Sequence, residues 1–281
     1  MSKTTSEQHH VKPQHNTNAL VTVTTETAGW HYLSFQVVAL QAGQTFSCET
    51  NDTEVALVPL VGQMRVDVSG EPFELARQNV FTELPHVVYA PPRKTITVRA
   101  VSASEFAVGS APAEGKYPTR LFAPAEMRQE IRGGGAARRQ VNHILAYPLP
   151  AERLILFEVY VPGGMWSGWP PHCHDRYMHS PYLEEIYYYR IDPSDGFAIH
   201  RNYRRDSAWN ELFAVQNGDT VLVTQGFHPV AAAPGCNVYF LNYLAGELLG
   251  EARATPPCDD PAYTWIKEHW EKNLLRLPMG G

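Results

Sequence analysis

Long apolar runs are missing from this 281-residue chain. No stretch approaches the length a membrane span needs, and the opening MSKTTSEQHHVKPQHNTN is polar, without the apolar core of a secretory leader. The expected address is the cytoplasm. Charge of either sign is sparse: 23 Lys and Arg stand against 29 Asp and Glu, for a net charge of −6 and a pI near 6.0. That balance argues against a nucleic-acid groove or a polybasic membrane patch. Cysteine is scarce as well. Cys48, Cys173, Cys236 and Cys258 lie far apart with no CxxC pair, which excludes a disulfide-stapled scaffold and leaves four reduced thiols.

Short β-type segments separated by turn residues are abundant. From about residue 29 to 112, runs such as YLSFQVVAL, TEVALVPLVG, MRVDVSG and TITVRAV are rich in Val, Tyr and Phe and broken by Gly, Pro and Asn-Asp. A second set, RLILFEVYVPGG, EEIYYYRI, LFAVQNGDTVLVTQG and CNVYFLNYLAG, fills residues 138–250. VVALQAGQTF in the first set matches VYVPGGMWSG in the second, and HVVYAPP matches TVLVTQGFHP, so one unit is used twice. Two all-β units of this size imply an all-β protein of two double-sheet jelly rolls, the architecture that includes cupins. Residues 1–28 read as a polar tail and first strand, 113–137 as a Pro-, Ala- and Gly-rich linker, and 251–281 as a tail. In that tail Trp265, Ile266, His269, Trp270 and Leu274 recur at helical spacing, predicting a short C-terminal helix. His9, His10, His15 and His179 read as solvated.

Chemistry concentrates in PPHCHDRYMHSPYLEEIYYYR, residues 170–190. His172 and His174 are two apart, so on a strand both rings face the same side, roughly 7 Å apart at Cα, while Cys173 faces away. A neighbouring strand supplies a glutamate, Glu184 or Glu185 according to strand parity and here taken as Glu185, and the later GFHP turn supplies His228. Three imidazoles and a carboxylate suit a divalent ion, Zn or Mn foremost, with Fe, Co or Ni in the same donor range, and leave positions open for substrate. If Glu185 faces inward, so do Tyr187 and Tyr189, as pocket walls or as ordinary cross-strand packing. The first unit has no matching HxH and reads as a copy without metal.

The segments GWHYLSFQVVALQAGQTF, FEVYVPGGMWSGWPPHCHD, LEEIYYYRIDPSDGFAIHRNY and NGDTVLVTQGFHPVAAAPG together resemble the 5-deoxy-glucuronate isomerases of bacterial myo-inositol catabolism. More distantly they are similar to the 4-deoxy-L-threo-5-hexosulose-uronate ketol-isomerases of pectin breakdown. The resemblance implies a bicupin, a homo-oligomer, and isomerisation of 5-deoxy-D-glucuronate to 5-dehydro-2-deoxy-D-gluconate, with His172, His174, Glu185 and His228 as metal ligands. Hydrogen moves from C2 to C1 either by a metal-assisted hydride shift or through an enediolate; the latter needs a proton-transfer group, for which Glu184, Tyr187, His200 and a metal-bound hydroxide are candidates. A sugar-acid carboxylate needs a cation, with Arg190, Arg201 and Arg139 the candidates beside Tyr189 as a substrate wall. Three alternatives remain at this level: an isomerase of another uronate or deoxy sugar, a metal-dependent cupin oxygenase, and a non-enzymatic sugar-binding cupin.

Overall fold

The Val-, Tyr- and Phe-rich runs form strands that pair into two sandwiches. The computed structural model describes residues 8–275 and residue 277. In the first unit the larger sheet runs Arg120–Phe122, Val87–Ala90, Thr53–Val68, Ser104–Pro112, Ser34–Leu40, Ala19–Val23. The long strand Thr53–Val68 crosses into a second sheet with Glu71–Arg77, Thr95–Ala100 and Thr45–Glu49. It makes that bend just past a register shift between Pro59 and Val61, at Gly62, whose φ of 100° and closeness to the Ala103 carbonyl admit no side chain.

The second unit repeats the plan. Its larger sheet runs His10–Val11, Thr220–Val223, Leu183–Asp192, Asn237–Gly246, Ile155–Val161, Arg139–Leu145, Arg128–Arg132, and the facing sheet holds Trp166–Ser167, Val230–Ala232, Ala198–Tyr203 and Asn210–Val215. Gly43 and Gly164, both at positive φ, occupy the matching turns of the two units. The result is an all-β pair of jelly rolls.

Each sandwich has its own apolar filling, and a third core joins them. Val66, Ile96 and Phe106 lie inside the first unit, and Val159, Tyr189 and Phe240 inside the second. Phe35, Val58 and Tyr89 of the first meet Ile186, Tyr188, Tyr239 and Tyr243 of the second. The two larger sheets therefore pack back to back, so Leu183–Asp192 is buried on both faces along most of its length. This is why LEEIYYYR reads as a continuous run: Tyr187 and Tyr189 fill one core, while Ile186 and Tyr188 fill the other.

Buried carboxylates lock that interface. Glu184 accepts the backbone N–H groups of His31, Tyr32 and Leu33 at 2.7–2.8 Å. Glu54, the corresponding residue of the first unit, accepts those of Glu152, Arg153 and Leu154 at 2.6–2.7 Å. Each unit thus grips the chain just ahead of the other's matching strand, Ser34–Leu40 or Ile155–Val161. Between the sheets, the buried Arg77 guanidinium donates to both oxygens of Glu158, at 2.6 and 3.1 Å.

Three terminal and linking expectations change. His10–Val11 is a strand on the second unit; the half-buried His9 and His10 rings meet Glu211 and Asp219 at 2.9 and 2.8 Å, so they are not solvated. His15 and His179 are exposed. Residues 113–137 carry two edge strands, Arg120–Phe122 on the first unit and Arg128–Arg132 on the second. Charged alternation in RQEIR suits such an edge. Where the tail's helix was expected, the described residues form a 3-10 turn, Thr264–Lys267. The tail's aromatic residues are used individually, Tyr263 against Trp169 and Trp270 over Gly134, instead of as one stripe.

Removing the Glu184 carboxylate strands three backbone donors at the interface. Glu184→Ala and Glu54→Ala are each expected to lower unfolding free energy by about 2–5 kcal/mol while leaving metal stoichiometry unchanged. Urea unfolding beside metal analysis checks this; wild-type stability in both variants would refute the clamp.

Candidate metal centre and cavity

The short strand His172–Cys173 pairs with Cys258–Asp259. Strand alternation turns Cys173 away from the histidines into a small core with Tyr203 and Phe227. Burial, then Asp175, pushes its thiol up to about 12, the behaviour of an inert cysteine. His174 and His228 are oriented by backbone: His174 Nδ1 donates to the Leu183 carbonyl at 2.8 Å, and His228 Nδ1 to that of Gly226 at 3.0 Å. Both Nε2 atoms then turn toward Glu185 Oε2, at 2.9 and 3.3 Å.

That arrangement is electrostatically incomplete. With the Nδ1 protons committed to carbonyls, a neutral His174 or His228 presents a lone pair to a carboxylate oxygen, and both sides are acceptors. His228 Nε2 is buried and makes no hydrogen bond. Only a proton or a cation can bridge these atoms, and a divalent ion satisfies all of them at once. Among the described residues, His174, Glu185 and His228 form the cluster whose donor atoms lie within 4.8 Å of one another. The His172 ring lies beside that cluster, 4.5 Å from His228 and 6.3 Å from His174 between centroids. Burial, then the neighbouring His228 and His174, holds the His172 imidazole well below its ordinary pKa, hence neutral. Burial alone would raise the Glu185 carboxyl; the adjacent His174 and His228 bring it down to about 2.

The centre forms one end of a cavity of about 300 Å³ that also contains Arg128, Arg132, Arg139, His143, Tyr187 and Arg253. Its floor is the inner face of the larger sheet, and residues 253–257 cover one side. Of the sequence candidates, Tyr187 and Arg139 are in it. Burial, then Glu185, raises the Tyr187 phenol well above its ordinary pKa, so it carries its proton. Arg139 donates to the carbonyls of Ala137 and Trp169 at 3.2 Å, and its buried Nε has no partner.

The remaining candidates lie elsewhere. Glu184 faces the first unit and is engaged by three N–H groups, so it is not the proton-transfer group; parity with Glu185 already demanded the opposite face. Arg190 shares that outward face, where it pairs with Glu105 and lies over Tyr188. Arg201 is exposed and bonded to Asn210. His200 is fully buried behind Tyr187, taking the Tyr189 hydroxyl at 2.6 Å and donating to Asn202 at 2.8 Å. It therefore supports the wall from outside the cavity, and Tyr189 is committed to it. Sequence reasoning missed Arg128, Arg132, His143 and Arg253. The first two are hidden in a segment read as linker, where R-x-x-x-R on a strand would have signalled one shared face.

Fold and site together define a bicupin with a candidate metal centre in its C-terminal unit. The chain belongs to the KduI/IolB family, whose model matches residues 7–266. It is 42% identical over 254 residues to a 5-deoxy-glucuronate isomerase of Geobacillus thermodenitrificans, covering 89% of this chain and 91% of that protein. It is 34% identical over 252 residues to the enzyme of the same name from Bacillus subtilis strain 168, covering 88% and 92%. The crystal structure of an IolB-like protein from Salmonella typhimurium superposes with a TM-score of 0.87 at 34% identity, over 92% of this chain and 98% of that one. Lactobacillus farciminis oxalate decarboxylase, at 12% identity, a TM-score of 0.59 and coverage of 90% and 87%, shares the fold.

Replacing His174 or His228 by Ala is expected to weaken zinc or manganese binding by more than the roughly 10–100-fold that loss of a supporting hydrogen bond costs. Competitive metal titration measures this. A comparable loss in His172→Ala identifies it as the fourth ligand, whereas undiminished binding in His174→Ala would dissolve the site.

Proposed function

We propose that this chain is an aldose–ketose isomerase converting 5-deoxy-D-glucuronate to 5-dehydro-2-deoxy-D-gluconate in myo-inositol degradation. The observation that carries the reading is identity of 34–42% to 5-deoxy-glucuronate isomerases over nearly their whole length. A buried His and Glu cluster at the end of a sugar-sized cavity supports it. No helix among the described residues is long and apolar enough to cross a membrane; we take the cytoplasm as the working compartment.

His174, Glu185 and His228 would hold the ion, with His172 beside them. Zinc or manganese bound there supplies Lewis acidity toward a carbonyl and its neighbouring hydroxyl. Around that centre the chain's own groups have separate tasks. Tyr187 keeps its phenolic proton beside Glu185, ready to donate to an oxygen that gains negative charge. Arg139, its charge met by carbonyls and no carboxylate, offers a free direction to an anionic or hydroxyl-bearing substrate. Val159, Phe157 and Phe240 exclude water from the floor, strengthening every charge interaction above them.

Purified protein is expected to contain about one divalent ion per chain and to lose turnover of 5-deoxy-D-glucuronate on chelation, regaining it with added metal. Full activity after complete metal removal would sink the mechanism, and turnover of a different uronate alone would reassign the substrate. Tyr187→Phe is expected to lower kcat by roughly 100-fold with KM little changed. Wild-type kcat there removes Tyr187 from the chemistry.

A further inference from the structure

The cavity has a second polar end, opposite the metal centre. One row crosses the larger sheet in register: Tyr187 opposite Asn242, Asn242 opposite Phe157, Phe157 opposite His143, His143 opposite Arg128. Four strand steps of about 4.8 Å separate the two backbones at its ends, and the side chains reach inward from both. At the far end Arg128 Nη2 donates to His143 Nε2 at 2.8 Å, with Arg132 Nη2 at 3.3 Å from the same nitrogen. A ring that accepts from two guanidiniums is neutral; burial, then Arg128 and Arg132, holds His143 down to about 4. His143 thus orients two cations without cancelling either.

A single carboxylate answers them. Glu130 lies between Arg128 and Arg132 on the same face of the edge strand Arg128–Arg132, 3.0 Å from Arg128 and in contact with Arg132. Its side chain is 26% exposed, so it can rotate into water. Arg139 and Arg253 line the same cavity and meet only carbonyl oxygens. Apart from the ligand Glu185, the cavity therefore sets four guanidiniums against one displaceable carboxylate.

We infer that Arg128 and Arg132, aligned by His143, form the subsite for the substrate's carboxylate, and that Glu130 is a place-holder which that carboxylate displaces. A sugar acid held there points its other end along the cavity floor toward the metal centre. Two guanidiniums converging on one carboxylate select an acid over the corresponding neutral sugar. The identity of the ligand rests on the isomerase reading, but the subsite's preference for an acid can be measured without turnover.

The test is calorimetric titration of the full-length purified protein with D-glucuronate and with D-glucose, beside steady-state kinetics with 5-deoxy-D-glucuronate. Wild type is expected to bind D-glucuronate in the millimolar range or tighter, and D-glucose far more weakly. Arg132→Gln and Arg128→Gln should each weaken D-glucuronate roughly tenfold or more and raise KM more than they lower kcat. Glu130→Gln should act in the opposite sense, tightening D-glucuronate and lowering KM. Because all three side chains lie on an exposed edge strand, thermal unfolding should match wild type. No binding by the wild type, unchanged affinity in the Arg128→Gln/Arg132→Gln pair, or weaker binding in Glu130→Gln overturns the subsite. Acid-selective binding without turnover sinks the isomerase reading alone, and turnover with an unaltered KM in the pair sinks the subsite alone.

Discussion

The back-to-back contact of the two larger sheets is the constraint on which everything else depends. Burying both faces of Leu183–Asp192 takes its outward carboxylate, Glu184, out of water. A buried carboxylate is tolerable only if fully satisfied, and three backbone N–H groups from the first unit do this. Glu54 solves the same problem in mirror fashion. The reciprocal grips add to the packing that holds the strand carrying Glu185 in place. The first unit in this sense backs the candidate site: it packs against the other face of the strand that carries Glu185 and Tyr187.

Strand alternation made much of this legible in the sequence. The HxH spacing, the inward parity of Glu185 and Tyr187, and the Gly-x-His-Pro turn pointed to a group of four, of which the structure brings His174, Glu185 and His228 together and leaves His172 beside them, because each signal depends on local geometry alone. The jelly-roll pair was legible for the same reason, through Val-rich runs punctuated by glycine. What failed depended on partners far along the chain. Glu184 and Arg190 look available for chemistry until the first unit's sheet is laid against them, and nothing within LEEIYYYR says that its second face is also covered. His9 and His10 look solvated until a strand 200 residues later pairs with theirs.

The cationic end of the cavity was illegible for a different reason. Arg128, Glu130 and Arg132 lie in a Pro-, Ala- and Gly-rich stretch whose composition says linker, and an edge strand paired on one side needs little apolar patterning of its own. Edge strands are where a sheet tolerates charge, so the last strand of this sheet can carry three charged side chains at no cost to the core. The polarity of the cavity follows from that order: central strands supply the apolar floor, a strand buried between neighbours supplies Glu185 and Tyr187, and the solvent-facing edge supplies the charged groups.

The pairing of His172–Cys173 with Cys258–Asp259 bears on the order of events during synthesis. The histidine strand finds its partner only after some eighty further residues have been made, and Asp260, which follows, ties that partner down by accepting from Tyr203 and Arg205. Domains fold as units during translation, N-terminal first. The first unit can therefore fold and its Glu54 stand ready while the second is still emerging, and the pairing that backs the histidine strand is among the last contacts of the second unit to become available. The mouth of the candidate site is thus finished by the end of the chain, after the surrounding sheets have already set its shape.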